Sequence, residues 1–173
     1  MSYSCIKAKL ITMKTLLIPT DFKLQSLNCI PKLTQQFYPH KLNIIMVHTI
    51  GVTDSISELL MLSRRSVEYR HIPDAFYKTC HEIKRDYKIN INEIRIEFFY
   101  GNTVAAFKNF LEGNEVDAII DLGNYDYELL TEKSSDPTLL MSRSGLPVIT
   151  IDTILPVATA EQEPQEELEE QTI

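Results

Sequence analysis

MKTLLIPTDF, residues 13–22, passes from a charged start through Leu16, Leu17 and Ile18 to Pro19, and then turns polar at Thr20 and Asp21. A short apolar run without alternation, bounded by a breaker, is what a strand buried on both faces of a parallel sheet looks like. Residues 14–19 are therefore expected to form a first strand. Thr20 and Asp21 supply side-chain oxygens of the kind that cap a following helix. That helix is expected through Leu24, Leu27, Ile30, Leu33 and Phe37, with a kink or late start at Pro31 and a stop at Pro39.

The same grammar repeats outward. Leu42–Thr49 (LNIIMVHT) is a second buried strand, followed by a polar turn at 51–54. Ser55 or Ser57 can cap a helix through Leu59, Leu60, Leu62 and Val67. Pro73 breaks that stretch, and a second helix follows through Phe76, Cys80, Ile83 and Tyr87. Residues 93–100 (EIRIEFFY) suit a third strand, Gly101 turns the chain, and Thr103 caps a helix carrying Val104, Phe107 and Leu111. Gly113 stands where that helix should end. Val116–Leu122 is a fourth strand, a short helix is expected over Pro137–Arg143, and Pro147–Ile151 is a fifth strand. Strands alternating with helices through short turns predict a parallel sheet covered on both faces, an α/β fold. One domain is expected over 13–152, with 1–12 as a loose extension. From about Ile154 the chain turns to Glu, Gln and Pro, so 153–173 is expected to be a disordered acidic tail.

Composition narrows the function classes. The chain is 44% hydrophobic and 24% charged, ordinary for a globular domain. Nothing approaches the roughly 18 consecutive apolar residues of a membrane-spanning helix. The first twelve residues lack the apolar core and small-residue site of a signal peptide. Six acids of the tail (Glu161, Glu163, Glu166, Glu167, Glu169 and Glu170) dominate the net charge; removing them from −7 leaves −1. With no basic stripe, nucleic acid is not expected as a partner. Three cysteines form no CxxC pair and suit a reducing compartment, so a cytoplasmic location is expected. The four histidines have no metal-ligand spacing. Cys80 and His81 adjoin on a helix, where neighbours do not face each other, so a buried thiol beside a surface imidazole is expected.

With these pieces placed, MKTLLIPTDF followed by Ser26-Leu27 resembles the opening of universal stress proteins. LNIIMVHTI is similar to that family's second strand, GNTVAAFKNFLEGNEVDAIIDLG to its third-strand exit, third helix and fourth strand, and SRSGLPVITI to its final strand. The resemblance spans about residues 13–152. It implies a doubly wound, five-stranded, Rossmann-like sheet of order 3-2-1-4-5, and homodimers joined through the fifth strand, here Val148, Ile149, Thr150 and Ile151. An unprotected VITI edge would otherwise invite open-ended pairing, which a two-fold copy closes.

In such a sheet ligands sit where the strand order reverses, at the carboxyl ends of strands one and four. Asp21 and Gly123 arrive there, and Val47 and His48 end strand two. The resemblance places Asp21 against an adenine in ATP-binding members; the same carboxylate serves equally as a helix cap. Those members carry Gly-x-x-Gly, nine residues, then Gly-Ser or Gly-Thr for the phosphates. Here Gly123-Asn124-Tyr125-Asp126 is followed by Asp136-Pro137, and no other glycine occurs before Gly145. Glu128 and Glu132 add negative charge, and a carboxylate about 4 Å from a phosphate costs about 1 kcal/mol even in water. The expectation is a member that binds no ATP and needs no cofactor. Ser134 and Ser135 either hold a small polar ligand or cap the last helix; Tyr125 and Tyr127 can close a shallow pocket.

No nucleophile elbow, Walker loop or paired-cysteine site is present. Asp117 and Asp121 share one side of strand four, as an acid–base pair or as markers of the strand's two ends. An enzyme is not expected. Two functions remain: a regulatory or interaction module acting as a homodimer with a protein partner, or a sensor taking a nucleoside-like ligand at Asp21, Val47, His48 and Gly123.

Overall fold

The computed structural model describes residues 12–52 and 68–152. Five strands, β1 (Met13–Pro19), β2 (Lys41–Ile50), β3 (Ile91–Tyr100), β4 (Ala118–Leu122) and β5 (Val148–Ile151), form one all-parallel sheet in the order β3-β2-β1-β4-β5. Between them lie α1 (Ile30–Gln36), α2 (Asp74–Asp86), α3 (Val104–Gly113) and α4 (Thr138–Ser142), with single 3-10 turns at Leu24–Leu27 and Glu68–His71. The doubly wound α/β sheet expected from the sequence is therefore present.

Register explains why the central strands are apolar throughout. Leu16 and Leu17 pair with Ile44 and Ile45 on one side and with Ala118 and Ile119 on the other. Alternate residues then enter two cores. Leu16, Ile18, Ile44 and Met46 pack with Phe22, Phe76 and Phe98 on one face. Leu17, Ile45, Val47 and Ile119 pack with Phe107, Leu111 and Met141 on the other. Each fully buried side chain of this size contributes about 1.5–3 kcal/mol, so both periods of every central strand are under the same apolar demand.

Departures from expectation are local. Residues 24–27 form a 3-10 turn, and α1 begins only at Ile30 with Pro31 in its first turn. Proline lacks an N–H, and the first turn is where that donor has no helical partner in any case. Thr103 caps α3 as expected, accepting from Ala106 N–H at 3.2 Å. Gly113 is the last residue of α3, while the left-handed residue that follows is Glu115 (φ 51°). The expected extension at 1–11, the helix through Leu59, Leu60, Leu62 and Val67, and the tail at 153–173 lie outside the described residues. Among the described residues no helix is long and apolar enough to cross a membrane.

Candidate functional site

The sheet delivers four polar residues to its carboxyl edge in a nearly solvent-free state: Thr20, Asp21, His48 and Thr49 are at most 3% exposed. Buried polar groups persist only when hydrogen-bonded. Thr20 extends the β1–β2 ladder, its N–H donating to Val47 O at 2.9 Å. Its hydroxyl accepts from Phe22 N–H at 2.9 Å and lies 2.8 Å from Ser26 Oγ. Phe22 follows with φ 62°, a left-handed conformation that costs a bulky residue roughly 1–2 kcal/mol. That turn drives its ring against Phe76, Phe98 and His48.

Asp21 is not a helix cap in the usual sense. Its carboxylate accepts from Lys23 N–H (3.2 Å), closing a local turn, and from Glu128 N–H (3.1 Å) and the Tyr125 hydroxyl, both on the β4–α4 loop. Lys23 Nζ stands 3.7 Å from Asp21 and 2.7 Å from Glu128, linking the buried carboxylate to an exposed one. Burial and the bond to Asp21 push the Tyr125 phenol well above its ordinary pKa, so it stays a donor.

His48 is completely buried. Nδ1 lies 2.7 Å from Thr20 O, and a carbonyl only accepts, so Nδ1 carries the hydrogen. The Tyr127 hydroxyl, 2.6 Å away, shares that side of the ring. Nε2 is then the acceptor for the Ser134 hydroxyl at 2.8 Å. Burial lowers the His48 pKa, against a smaller opposing pull from the Thr20 carbonyl and Asp21. The ring is held neutral and stacks on Tyr127, with centroids 5.5 Å apart at 15°.

The remaining partners come from the same loop, residues 123–137. Ile50 and Ser134 form an antiparallel bridge, Ser135 N–H donates to Thr49 O at 3.0 Å, and the Thr49 hydroxyl donates to Ser135 O. The loop thus lies across the exits of β1 and β2. Ser134 and Ser135 do not cap the last helix, as one reading of the sequence expected. The turn into α4 is held by Asp136, which accepts from Thr138 N–H at 2.8 Å. What remains of the crevice between β1 and β4 is a recess of about 80 Å³ bounded by Pro19, Asp121, Tyr125, Tyr127 and Asp136.

No family model matches the chain, and no curated protein matches it. Universal stress proteins stand among the solved structures similar to it. One is the universal stress protein UspA from Lactobacillus plantarum, 16% identical, covering 81% of this chain and 98% of that one with a TM-score of 0.48. A universal stress protein in complex with cAMP is 18% identical, covering 82% and 98%, with a TM-score of 0.41. A universal stress protein family protein from Arabidopsis thaliana with AMP bound is 11% identical, covering 88% and 97%, with a TM-score of 0.40. The fold assignment itself rests on the strand order and register described above.

The residues singled out from sequence fall into two groups. Asp21, Val47 and His48 come together at the β1 and β2 exits. Gly123 instead faces β5: its N–H donates to Ile151 O at 3.2 Å, and a Cβ there would lie 2.8 Å from Thr150 Cγ2. Its lack of a side chain serves the close approach of two strand ends. Asp117 and Asp121 have separate partners, Thr15 N–H and Lys14 for the first and the Thr150 hydroxyl for the second. Cys80 is buried on α2, and burial pushes its thiol pKa up to about 11, as burial pushes Cys29 to about 12. Sequence reasoning did not single out Thr20, Lys23 or Thr49 as part of one network. Thr20 and Thr49 share one signal, a polar residue directly after, or at the end of, a buried apolar run; Lys23 carries none.

Proposed function

We propose that this chain is a universal stress protein-like regulatory or interaction module, working as a cytoplasmic homodimer that engages a protein partner in stress response, without nucleotide and without turnover. One observation carries this reading: the two side chains best placed to meet a ligand, Asp21 and His48, are saturated by Tyr125, Glu128, Tyr127 and Ser134 of the chain's own loop. A phosphate entering there would have to displace those bonds and approach Asp126, Glu128, Glu132 and Asp136, whose charges repel it.

The dimer reading rests on β5. It is the last strand of the sheet, with Val148 43% exposed and Ile151 buried. Pro147 O and Ile151 O turn toward β4, so Val148 and Thr150 direct their backbone groups outward. A two-fold copy would pair this edge.

Thermal melting of the purified protein with millimolar ATP, AMP or adenosine tests the first part. A ligand at 100 times its Kd stabilises by about 2.7 kcal/mol, so binding would be visible, and no shift is expected. A shift with ATP overturns the reading. A shift with adenosine or AMP alone favours the sensor, which a recess of about 580 Å³ bordered by Asp21, Lys23, Gln25, His71 and Glu128 would accommodate. For the dimer, light scattering should give a two-fold mass for the wild type and a monomer for Val148→Lys. Ile149 is the poorer target, because it packs against the core.

A further inference from the structure

We propose that His48 is an acid-operated latch on the 123–137 loop: a proton taken up at Nε2 removes the acceptor for the Ser134 hydroxyl and releases the loop from the exits of β1 and β2. This goes beyond the function proposed above and does not depend on it.

The geometry leaves Nε2 no second role. Nδ1–H donates to Thr20 O with the Tyr127 hydroxyl beside it, so of the loop's two contacts to the ring nitrogens the one at Nε2, from Ser134, is the one that requires an unprotonated nitrogen. Ser134 Oγ already accepts from Thr131 N–H at 3.0 Å and lies 3.3 Å from the Thr131 hydroxyl. A protonated Nε2 would force the Ser134 hydrogen to turn away and place an imidazolium in a fully buried site. The ring's surroundings compensate little. Phe22 and Phe98 face it from the β1 exit and from β3, the Tyr127 phenol faces it from the loop, and Asp21 is the charged group that acts on it among the described residues. Asp21 is itself held by Lys23, Tyr125 and Glu128.

In the closed form the His48 pKa lies below its ordinary 6.5, because burial penalises the charged ring. With the loop open the ring meets water and regains that ordinary value. The open form therefore binds more protons, and the open-to-closed ratio rises by up to tenfold per pH unit as pH falls below 6.5. Above 6.5 both forms are neutral and the latch is insensitive to pH. Tyr125 and Leu130 keep partial contact with the core and Tyr127 stacks on the ring, while the rest of the described hold is hydrogen bonding and the exposed Lys23–Glu128 ion pair, which opens in small steps.

Amide hydrogen exchange by NMR on the full chain, at pH 7.5 and 5.5 and corrected for intrinsic rates, tests the latch. Protection of the Glu128, Thr131 and Ser135 amides should fall by up to tenfold at pH 5.5 and stay below that of β1 amides. His48→Gln, which keeps one donor and one acceptor but cannot titrate, should lose this pH dependence. Unchanged wild-type protection, the same fall in His48→Gln, or loop protection equal to that of β1 would each overturn the proposal. Should His48→Gln fail to fold, the wild type still decides: the His48 ring must titrate below 6.5 while loop protection begins to fall near 6.5, and a ring that titrates at or above 6.5, or protection that stays level below it, overturns the proposal.

Discussion

The exits of β1 and β2 and the loop that crosses them are opposites. Thr20, Asp21, His48 and Thr49 are buried and hold more donors and acceptors than their own strands can pair. In the 123–137 loop only Ser134 and Pro137 are buried, and most of the remaining side chains reach solvent. One region carries an unmet need for hydrogen bonds and the other supplies them. In a doubly wound sheet the carboxyl ends of the strands border the crevice in which ligands bind. A bound ligand can meet that need, or the chain can. Here Tyr125, Tyr127, Glu128, Ser134 and Ser135 meet it from within.

Asp21→Ala strikes hardest, because it strands two donors from the loop and one from Lys23. A loss of about 3 kcal/mol is expected for breaking a buried charged cluster, or a fall in Tm of about 6–12 °C for a chain of this size. A melting curve like that of the wild type would mean that the loop is held by something other than the strand exit. Tyr125→Phe removes one donor and keeps the ring. It should cost about 1.5 kcal/mol, the value for a hydrogen bond to a charged acceptor, and urea denaturation can resolve that. A cost near zero would place the weight of the Asp21 network on the Glu128 and Lys23 amides. Glu128→Gln sharpens the contrast from the other side. Its backbone N–H still reaches Asp21, and only an exposed ion pair with Lys23 is lost, so Tm should not change. A fall comparable to that of Asp21→Ala would show that the side chain, not the backbone, pins the loop.

Much of the fold was legible because its signals are local. LLIP and IIMV are apolar at successive positions, because burial on both faces of a parallel sheet leaves no position there free to be polar, whereas the edge strand VITI exposes Val148 and Thr150. Pro31 and Thr103 announced a helix start through one missing donor and one capping oxygen. The 3-10 turn at Leu24–Leu27 was not legible, because its apolar spacing also suits a continuous helix. At the site, Asp21 and His48 stood out as polar residues at the ends of apolar runs. Their partners could not be read, since Tyr125 and Glu128 lie 104 and 107 residues from Asp21, and Ser134 lies 86 from His48. No local pattern specifies a pairing across such a separation.

The sequence alone determined the order of strands and helices, the two-sided burial of the central strands and the shortage of glycine after β4, because each depends on side-chain period or backbone freedom within a few residues. Only the tertiary structure decided what became of the crevice. Whether Asp21 caps a helix, meets a ligand or anchors a loop depends on which donors arrive within about 3 Å of its oxygens. That is set by the sheet bringing β1, β2 and the β4–α4 loop together at one edge. Gly123 makes the same point on a smaller scale: from sequence it is the remnant of a phosphate loop, and in the fold it is the space that lets Thr150 pass.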